Sequence, residues 1–149
     1  MLMPDINVLV YAFRKEMPDH ARYHQWLSEL VGGAASFGMA DLVLSGFVRV
    51  VTQRPFDPPT PLDRAFDFCD GILASPACVR IRPGDQTWGM FEDLCRRTKT
   101  VGASTTDVYF AALAIEAGAT WVTTDKDFAK FPGLTWCHAF GAQARTNPR

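Results

Sequence analysis

Short apolar segments alternate in this chain with longer stretches of helical periodicity, and this alternation constrains the fold more than any other feature. Strands are predicted at residues 2–5, 35–38, 79–81, 121–123 and 134–136. The stretches between them are long enough for helices and carry apolar residues at three- and four-residue spacing. Strands separated by helices pair in parallel, so the sequence predicts an α/β fold with a central, mainly parallel sheet.

Local signals place the helix starts. An amphipathic helix is predicted to begin at Pro18 and to stop at a pair of glycines. Residues 60–63 and 104–107 have the pattern of capping boxes, and the second of these opens an alanine-rich helix that is apolar almost all round. Further helices are predicted at residues 8–13, 41–53 and 85–97.

Length and composition are those of one globular domain. The chain has 149 residues, 48% hydrophobic and 21% charged, with 15 basic against 16 acidic residues. This balance excludes an intrinsically disordered chain and a strongly basic nucleic-acid-binding arm. One domain is expected over residues 1–140, followed by a flexible polar end at residues 141–149.

The sequence predicts neither a membrane segment nor a secretory signal. No apolar run approaches the ~18 residues of a membrane span, and Asp5 stands where a signal sequence would continue apolar. The four cysteines are scattered without a Cys-x-x-Cys pair, which is typical of small core residues in a reducing compartment. A cytoplasmic protein is therefore expected.

Five aspartates stand where a parallel sheet binds its ligands. Asp5, Asp41, Asp125 and Asp127 follow predicted strands, and Asp107 lies in the first turn of the alanine-rich helix. The carboxyl ends of parallel strands meet at one edge of the sheet, so these side chains are expected to converge. Crowded carboxylates repel unless a cation joins them, and hard oxygen ligands select Mg²⁺ or Mn²⁺. Such a site predicts metal-dependent hydrolysis of a phosphodiester.

A plainer interpretation exists for each acid taken singly. Aspartate at a helix start is favoured as a cap and as a partner of the helix dipole, and Asp63 fits that role alone. Asp5 is different, because it lies between apolar runs where an unpartnered carboxylate is costly. The set of acids therefore indicates more than any one member does.

The order and spacing of these motifs resemble the PIN-domain ribonucleases, in particular the toxins of VapBC toxin–antitoxin pairs. The resemblance rests on Asp5-x-Asn7 before an apolar helix, Asp107 opening the alanine-rich helix, and Thr-Thr-Asp125-x-Asp127-Phe after a strand. It implies a three-layer α/β/α sandwich and Mg²⁺-dependent cleavage of RNA, with Mn²⁺ as an alternative ion. It also implies a small VapB-like antitoxin, a homodimer, and a bacterial or archaeal cytoplasm.

The resemblance also implies roles for particular residues. Asp5 and Asp107 would be the primary metal ligands and catalytic acids, Asp125 would complete the acidic pocket, and Asp127 would assist a second ion. Three further polar residues would orient these carboxylates, namely Asn7, Ser104 and Thr124.

The chain departs from the family pattern at one acid. Many members carry a glutamate on the helix after the second strand, where this chain has Gly46. No glutamate occurs between Leu30 and Arg54, so Asp41 is the acid available for that catalytic role.

Two other functions stay open at the level of sequence. An aspartate-nucleophile phosphatase would use Asp5, although Asn7 stands where such an enzyme carries its second acid. A PIN-like protein that binds RNA or a partner without cutting would be consistent with Gly46. His20 and His24 have the spacing of two metal ligands on one helix face, but no third ligand accompanies them and a solvated face explains them better.

Overall fold

The structure is a computed structural model that describes residues 1–141 and 143–149. A six-stranded sheet runs in the order β3-β2-β1-β4-β5-β6, and its first five strands are parallel. The strands are β1 (Leu2–Pro4), β2 (Phe37–Ala40), β3 (Cys78–Ile81), β4 (Thr120–Val122), β5 (Thr135–Cys137) and β6 (Arg145–Thr146). The predicted α/β architecture with a mainly parallel sheet is therefore confirmed.

Six helices flank this sheet and complete the three layers. They are α1 (Ile6–Phe13), α2 (His20–Gly32), α3 (Asp41–Val51), α4 (Leu62–Leu73), α5 (Thr87–Thr98) and α6 (Thr105–Glu116). Two short 3₁₀ turns, at Gly102–Ser104 and Lys126–Lys130, lie before α6 and after β4. Within the described part of the chain, no helix is both long and apolar enough to cross a membrane.

The core lies around β1, which is first in sequence and central in space. Met3 on β1, Phe37 on β2 and Trp121 on β4 are completely buried. Helix α6 buries most of its circumference, as its uniformly apolar sequence predicts. The ring of Trp121 stacks on that of Phe110 from α6, with the two ring centroids 5.3 Å apart. This packing fixes β4 and α6 next to the end of β1.

Several predicted boundaries shift by one or two residues. Strand β2 begins two residues later than predicted, and β4 ends at Val122, which leaves Thr123 outside the strand. Helix α2 begins at His20 instead of Pro18, because Asp19 has a left-handed backbone with φ of 55°.

Both predicted capping boxes are wrong in detail. Helix α4 begins at Leu62 with Pro61 as its cap residue, and the hydroxyl of Thr60 accepts a hydrogen bond from Arg14 Nη1 at 2.9 Å. Ser104 belongs to the 3₁₀ turn before α6 and has helical dihedral angles, so its side chain makes no cap hydrogen bond. A cap residue needs an extended backbone to reach the helix amides, which Ser104 lacks, and Pro61 at the cap position of α4 has no side-chain acceptor.

Within the end that is predicted to be flexible, Arg145–Thr146 form strand β6. Strand β6 pairs antiparallel with β5, and Thr146 lies opposite Thr135. Asn147 is buried, and its amide Nδ2 donates to the carbonyl oxygens of Phe128 and Phe131 at 2.9 and 2.8 Å. The polar composition of this end does not predict a strand; next to the strand, the side chain of Asn147 satisfies backbone carbonyls of the neighbouring turn.

Candidate active site

Asp5 occupies the carboxyl end of the central strand. Its backbone N–H donates to the carbonyl of Val122 at 2.9 Å, which holds it in register with the end of β4. The residue is only 5% exposed. Its Oδ2 accepts hydrogen bonds from the hydroxyl of Thr123 at 2.6 Å and from the amide of Asn7 at 2.8 Å. The carboxyl is therefore oriented by Thr123, which follows β4, and by Asn7 on α1.

A small hydrogen-bond network continues from this carboxyl to the loop after β4. Asn7 Nδ2 also donates to the hydroxyl oxygen of Thr123 at 3.1 Å, and its Oδ1 accepts from the backbone N–H of Thr124 at 3.3 Å. The backbone N–H of Asp125 donates to the same hydroxyl oxygen at 3.0 Å. Asn7 and Thr123 thus tie the start of α1 to the loop that carries Asp125.

Thr123 is the site residue that sequence reasoning missed. The sequence pattern places it inside a core strand and predicts that the neighbouring Thr124 orients the acids. In the structure Thr124 contributes its backbone N–H to the network, and the hydroxyl that reaches Asp5 is that of Thr123. A polar residue directly after a buried strand is the signal that would have identified it.

Asp5, Asp107 and Asp125 line one cavity of about 900 Å³. Asp107 comes from the first turn of α6 and is partly buried, and Asp125 follows β4. Asp125 also caps the 3₁₀ turn Lys126–Lys130, since its Oδ1 accepts from the backbone N–H of Asp127 at 2.8 Å. Three of the predicted acids therefore share one space.

The electrostatics of these acids reflect burial and mutual repulsion. Burial raises the pKa of Asp5 to about 6, the hydrogen bond from Thr123 opposes that rise, and the charges of Asp107 and Asp125 add to it. Burial also raises the pKa of Asp107, with a further contribution from Asp125 and an opposing one from Lys130. The cavity is thus a place where negative charge is unfavourable without a cation.

Two predicted acids lie outside this cavity. Asp41, at the exposed start of α3, forms an ion pair with Arg80 and lines a separate groove. Asp127 is exposed and does not line the cavity; its charge raises the pKa of Asp107, and its backbone N–H donates to Asp125. Ser104 is exposed in its 3₁₀ turn and makes no side-chain hydrogen bond with the described residues.

Gly46 lies on the wall of the cavity, but the space beside it is filled. A Cβ atom at this position would come within 2.2 Å of the Cδ1 atom of Ile6. Asp41 does not line the cavity, so helix α3 brings no carboxylate to it. The predicted replacement of the family's glutamate by Asp41 is not seen in the structure.

The carboxylates of the cavity suit Mg²⁺, although they do not form a complete coordination site by themselves. In residues 1–141 and 143–149, no three histidine, cysteine, aspartate or glutamate side chains are grouped closely enough to hold one ion. Mg²⁺ is usually held by one or two carboxylates together with water and substrate phosphate. The carboxylates of Asp5, Asp107 and Asp125, which repel one another in one open cavity, fit that mode of binding.

His20 and His24 serve the end of α1. Their Nδ1 atoms contact the carbonyl oxygens of Tyr11 and Ala12 at 2.9 and 3.3 Å. These carbonyls belong to the last turn of α1, where no further helical amide is available to them. The two histidines therefore satisfy a helix terminus and lie outside the acidic cavity.

The fold and this acidic cavity define a known class of domain. The model of the family described as PIN domain matches residues 2–134, which is most of the chain. The chain therefore belongs to the PIN-domain family, and its curated relatives place it in the VapC group of that family.

The similarity to VapC proteins extends over nearly the whole chain. It is 41% identical to VapC ribonuclease Mb2897 of Mycobacterium bovis, with 96% of this chain and 98% of the relative covered. Ribonuclease VapC43 of Mycobacterium tuberculosis gives the same values. Ribonuclease VapC33 of that organism is 34% identical over 91% of this chain and 96% of its own length.

Solved structures show the same fold at low sequence identity. VapBC2 from Rickettsia felis, bound to a DNA fragment from its promoter, matches with a TM-score of 0.66 and 20% identity, covering 92% of this chain and 97% of that one. VapC20 of Mycobacterium tuberculosis, a toxin that cleaves the sarcin-ricin loop, matches with a TM-score of 0.63 and 14% identity over 87% and 93%.

Proposed function

We propose that this chain is a Mg²⁺-dependent endoribonuclease and the toxin of a VapBC-type toxin–antitoxin pair. The observation that carries the proposal is the buried carboxyl of Asp5, oriented by Thr123 and Asn7 in the cavity that also contains Asp107 and Asp125. The VapC relatives at 41% identity, which are named ribonucleases, support RNA as the substrate.

The residues of the cavity would have different roles in hydrolysis. Asp5 would be the ligand with a fixed orientation, because Asn7 and Thr123 both donate hydrogen bonds to its Oδ2 atom. Asp107 and Asp125 would supply further carboxylate oxygens from α6 and from the loop after β4. Bound Mg²⁺ would supply positive charge to the phosphate and lower the pKa of the attacking water.

The cavity also has an apolar part that would receive the organic portion of a nucleotide. Val10, Tyr11, Val50 and Phe56 line it together with the acids. Ribose and base surfaces pack well on aromatic and aliphatic walls, whereas the phosphate requires charge. The lining therefore offers apolar surface for the sugar and base as well as carboxylates for a cation.

We further infer that a small antitoxin of the VapB type and a second copy of the chain are its protein partners. Support comes from structural neighbours that are VapBC complexes, from Rickettsia felis, Haemophilus influenzae and Salmonella typhimurium. Light scattering of the chain alone tests the homodimer, and co-purification with the antitoxin encoded beside it tests the complex.

The nuclease proposal is tested with the purified chain and total bacterial RNA, by sequencing the new 5′ ends. Mg²⁺ should be required, with Mn²⁺ able to replace it, and EDTA should abolish cleavage. Asp107→Asn should reduce the rate at least about a hundredfold, because removal of one of few charged ligands weakens both ion binding and charge stabilisation.

Asp41→Asn is the matched control, since Asp41 lies outside the cavity and its loss should leave the rate within about twofold. Equal rates for wild type and Asp107→Asn would contradict the proposed site. Metal-independent RNA binding without new ends would instead show a PIN-like binding protein, and a phosphoryl group trapped on Asp5 would show a phosphatase.

A further inference from the structure

Helix α3 lines the cavity with a face that carries a positive charge instead of a carboxylate. Leu42, Ser45, Gly46, Arg49 and Val50 line the cavity at the spacing of one helix face. Asp41, the acid of the first turn, is held outside by Arg80. The wall contributed by α3 is therefore basic at one point and otherwise uncharged.

Arg49 is available to a ligand. It is exposed, and among the ion pairs and side-chain hydrogen bonds of the described residues none involves it. It is also the only lysine or arginine among the described residues that line the cavity. Lys130 influences Asp107 from outside, and its amino group lies 5.2 Å from the ring centroid of Phe131.

Arg49 lines the same cavity as the three carboxylates and forms no ion pair with them. Its guanidinium therefore keeps its N–H donors for a ligand that enters the cavity. A phosphodiester that enters the cavity is repelled by the carboxylates and requires positive charge on its non-bridging oxygens. Guanidinium groups bind phosphate oxygens through two parallel N–H bonds, which fix orientation as well as charge.

We propose that Arg49 binds a phosphate of the RNA substrate in the acidic cavity, from the wall formed by α3. This proposal rests on the nuclease function proposed above. Gly46 carries no side chain and Asp41 lies outside the cavity, so Arg49, one turn beyond Gly46 on α3, is the charged group of that wall. An ion bound by the acids and the guanidinium of Arg49 would then contact the phosphate from separate elements of the fold.

The test measures RNA binding in a chain that does not cut. Asp107→Asn and Asp107→Asn with Arg49→Ala are titrated with a fluorescein-labelled, mixed-sequence single-stranded RNA at several salt concentrations. Loss of Arg49 should weaken binding about tenfold, the size of one charge-assisted hydrogen bond. The slope of log affinity against log salt should fall by about 0.7, as expected when one phosphate of a single strand is no longer neutralised by the protein.

Arg97→Ala in the same Asp107→Asn background is the matched control, because Arg97 is exposed on α5 outside the cavity. Its affinity and salt slope should stay unchanged. Arg49→Lys should keep the slope and recover part of the affinity, since the charge remains while the two-pronged hydrogen bonding is removed. A purely structural role of Arg49 would lower the melting temperature and would not change the salt slope.

Cleavage kinetics in the otherwise native chain separate this proposal from the nuclease proposal. Arg49→Ala should raise KM with Mg²⁺ saturating. If the wild type cuts RNA and Arg49→Ala has the same KM and the same salt slope, the role of Arg49 is overturned. The nuclease proposal then stands. A wild type that cuts no RNA would overturn the nuclease proposal, while the binding titration would still report on Arg49.

Discussion

The buried carboxyl of Asp5 costs the metal-free fold stability. Its pKa is raised to about 6 mainly by burial, so the folded chain prefers the protonated form between the ordinary pKa of 3.8 and that value. Stability therefore falls as the pH rises through this interval, and the whole loss is present above it. The shift corresponds to about 3 kcal/mol, an order-of-magnitude figure for a group that is almost fully buried.

Asp5→Asn should raise the melting temperature of the metal-free chain at pH 7.5 by several degrees, because the amide removes a buried charge and retains an oxygen for Thr123. The gain should largely disappear near pH 3.5, where Asp5 is mostly protonated in the folded and unfolded chain alike. Calorimetry in EDTA at both pH values measures it. Asp127→Asn, an exposed acid, serves as the control, and a lower melting temperature for Asp5→Asn at pH 7.5 would contradict the expectation.

At the scale of residues, the sequence identifies acids better than it identifies their supporting groups. Asp5, Asp107 and Asp125 could be chosen because a carboxylate after a buried strand or on an apolar helix is conspicuous. Thr123 could not be separated from Thr124, since a shift of one residue at the end of β4 decides which hydroxyl reaches Asp5. Asp41 lies outside the cavity, where it pairs with Arg80, and the spacing of residues in the sequence could not predict this pairing.

At the scale of elements, the start of α5 is capped by a residue from another helix. Glu116, the last residue of α6, accepts hydrogen bonds from the backbone N–H groups of Gly84 and Gln86 at 3.1 and 2.9 Å, and from the hydroxyl of Thr87. Gln86, the cap residue of α5, makes no side-chain cap of its own. These hydrogen bonds lower the pKa of Glu116 below its ordinary value, and the hydrogen bond from Thr87 makes the largest contribution.

Glu116→Gln should lower the melting temperature at neutral pH, because the amide group has one acceptor oxygen for the three donors. The wild type owes this stability to the ionised carboxylate, which is present above the ordinary pKa of 4.5 and lost as the pH falls through the lowered value. The difference between the two proteins should therefore shrink on acidification below pH 4.5.

Thermal unfolding monitored by circular dichroism at pH 7 and pH 3 makes this comparison. Glu92→Gln is the control on α5, because its i,i+4 pair with Arg96 is exposed and contributes little. A difference between wild type and Glu116→Gln that stayed constant over this pH range would contradict a charged cap.

Element type was predictable here and element ends were not. The alternation of short apolar runs with helical patterns predicted the first five strands, and α-helices lie on both sides of β2 and β3. The capping patterns at residues 60–63 and 104–107 failed because a bond to Arg14 occupies Thr60 and a 3₁₀ turn occupies Ser104. In both places a contact or turn outside the local pattern determined the conformation.

At the scale of the whole molecule, the last strand and the residue after it attach the end of the chain to the sheet. Asn147 accepts from Trp136 Nε1 at 3.0 Å and donates to two carbonyls of the segment between β4 and β5. Its backbone also bonds to Gly133 and Leu134. One side chain therefore joins the end of the chain to the turn that follows the site.

Asn147→Ala should destabilise the fold by about 1–3 kcal/mol, because two buried carbonyls and an indole N–H lose their partner together. Urea unfolding followed by tryptophan fluorescence measures the loss. Thr146→Ala, an exposed neighbour on β6, should cost far less. Equal stability of Asn147→Ala and wild type would show that residues 145–149 do not support the domain.

The central position of β1 has a consequence for biosynthesis. Asp5 precedes Thr123, whose hydroxyl orients it, by 118 positions in the chain. Asp107 and Asp125 also come late, so a nascent chain shorter than this contains no assembled cavity. The proposed active site can therefore assemble only after synthesis of the chain has passed Asp125.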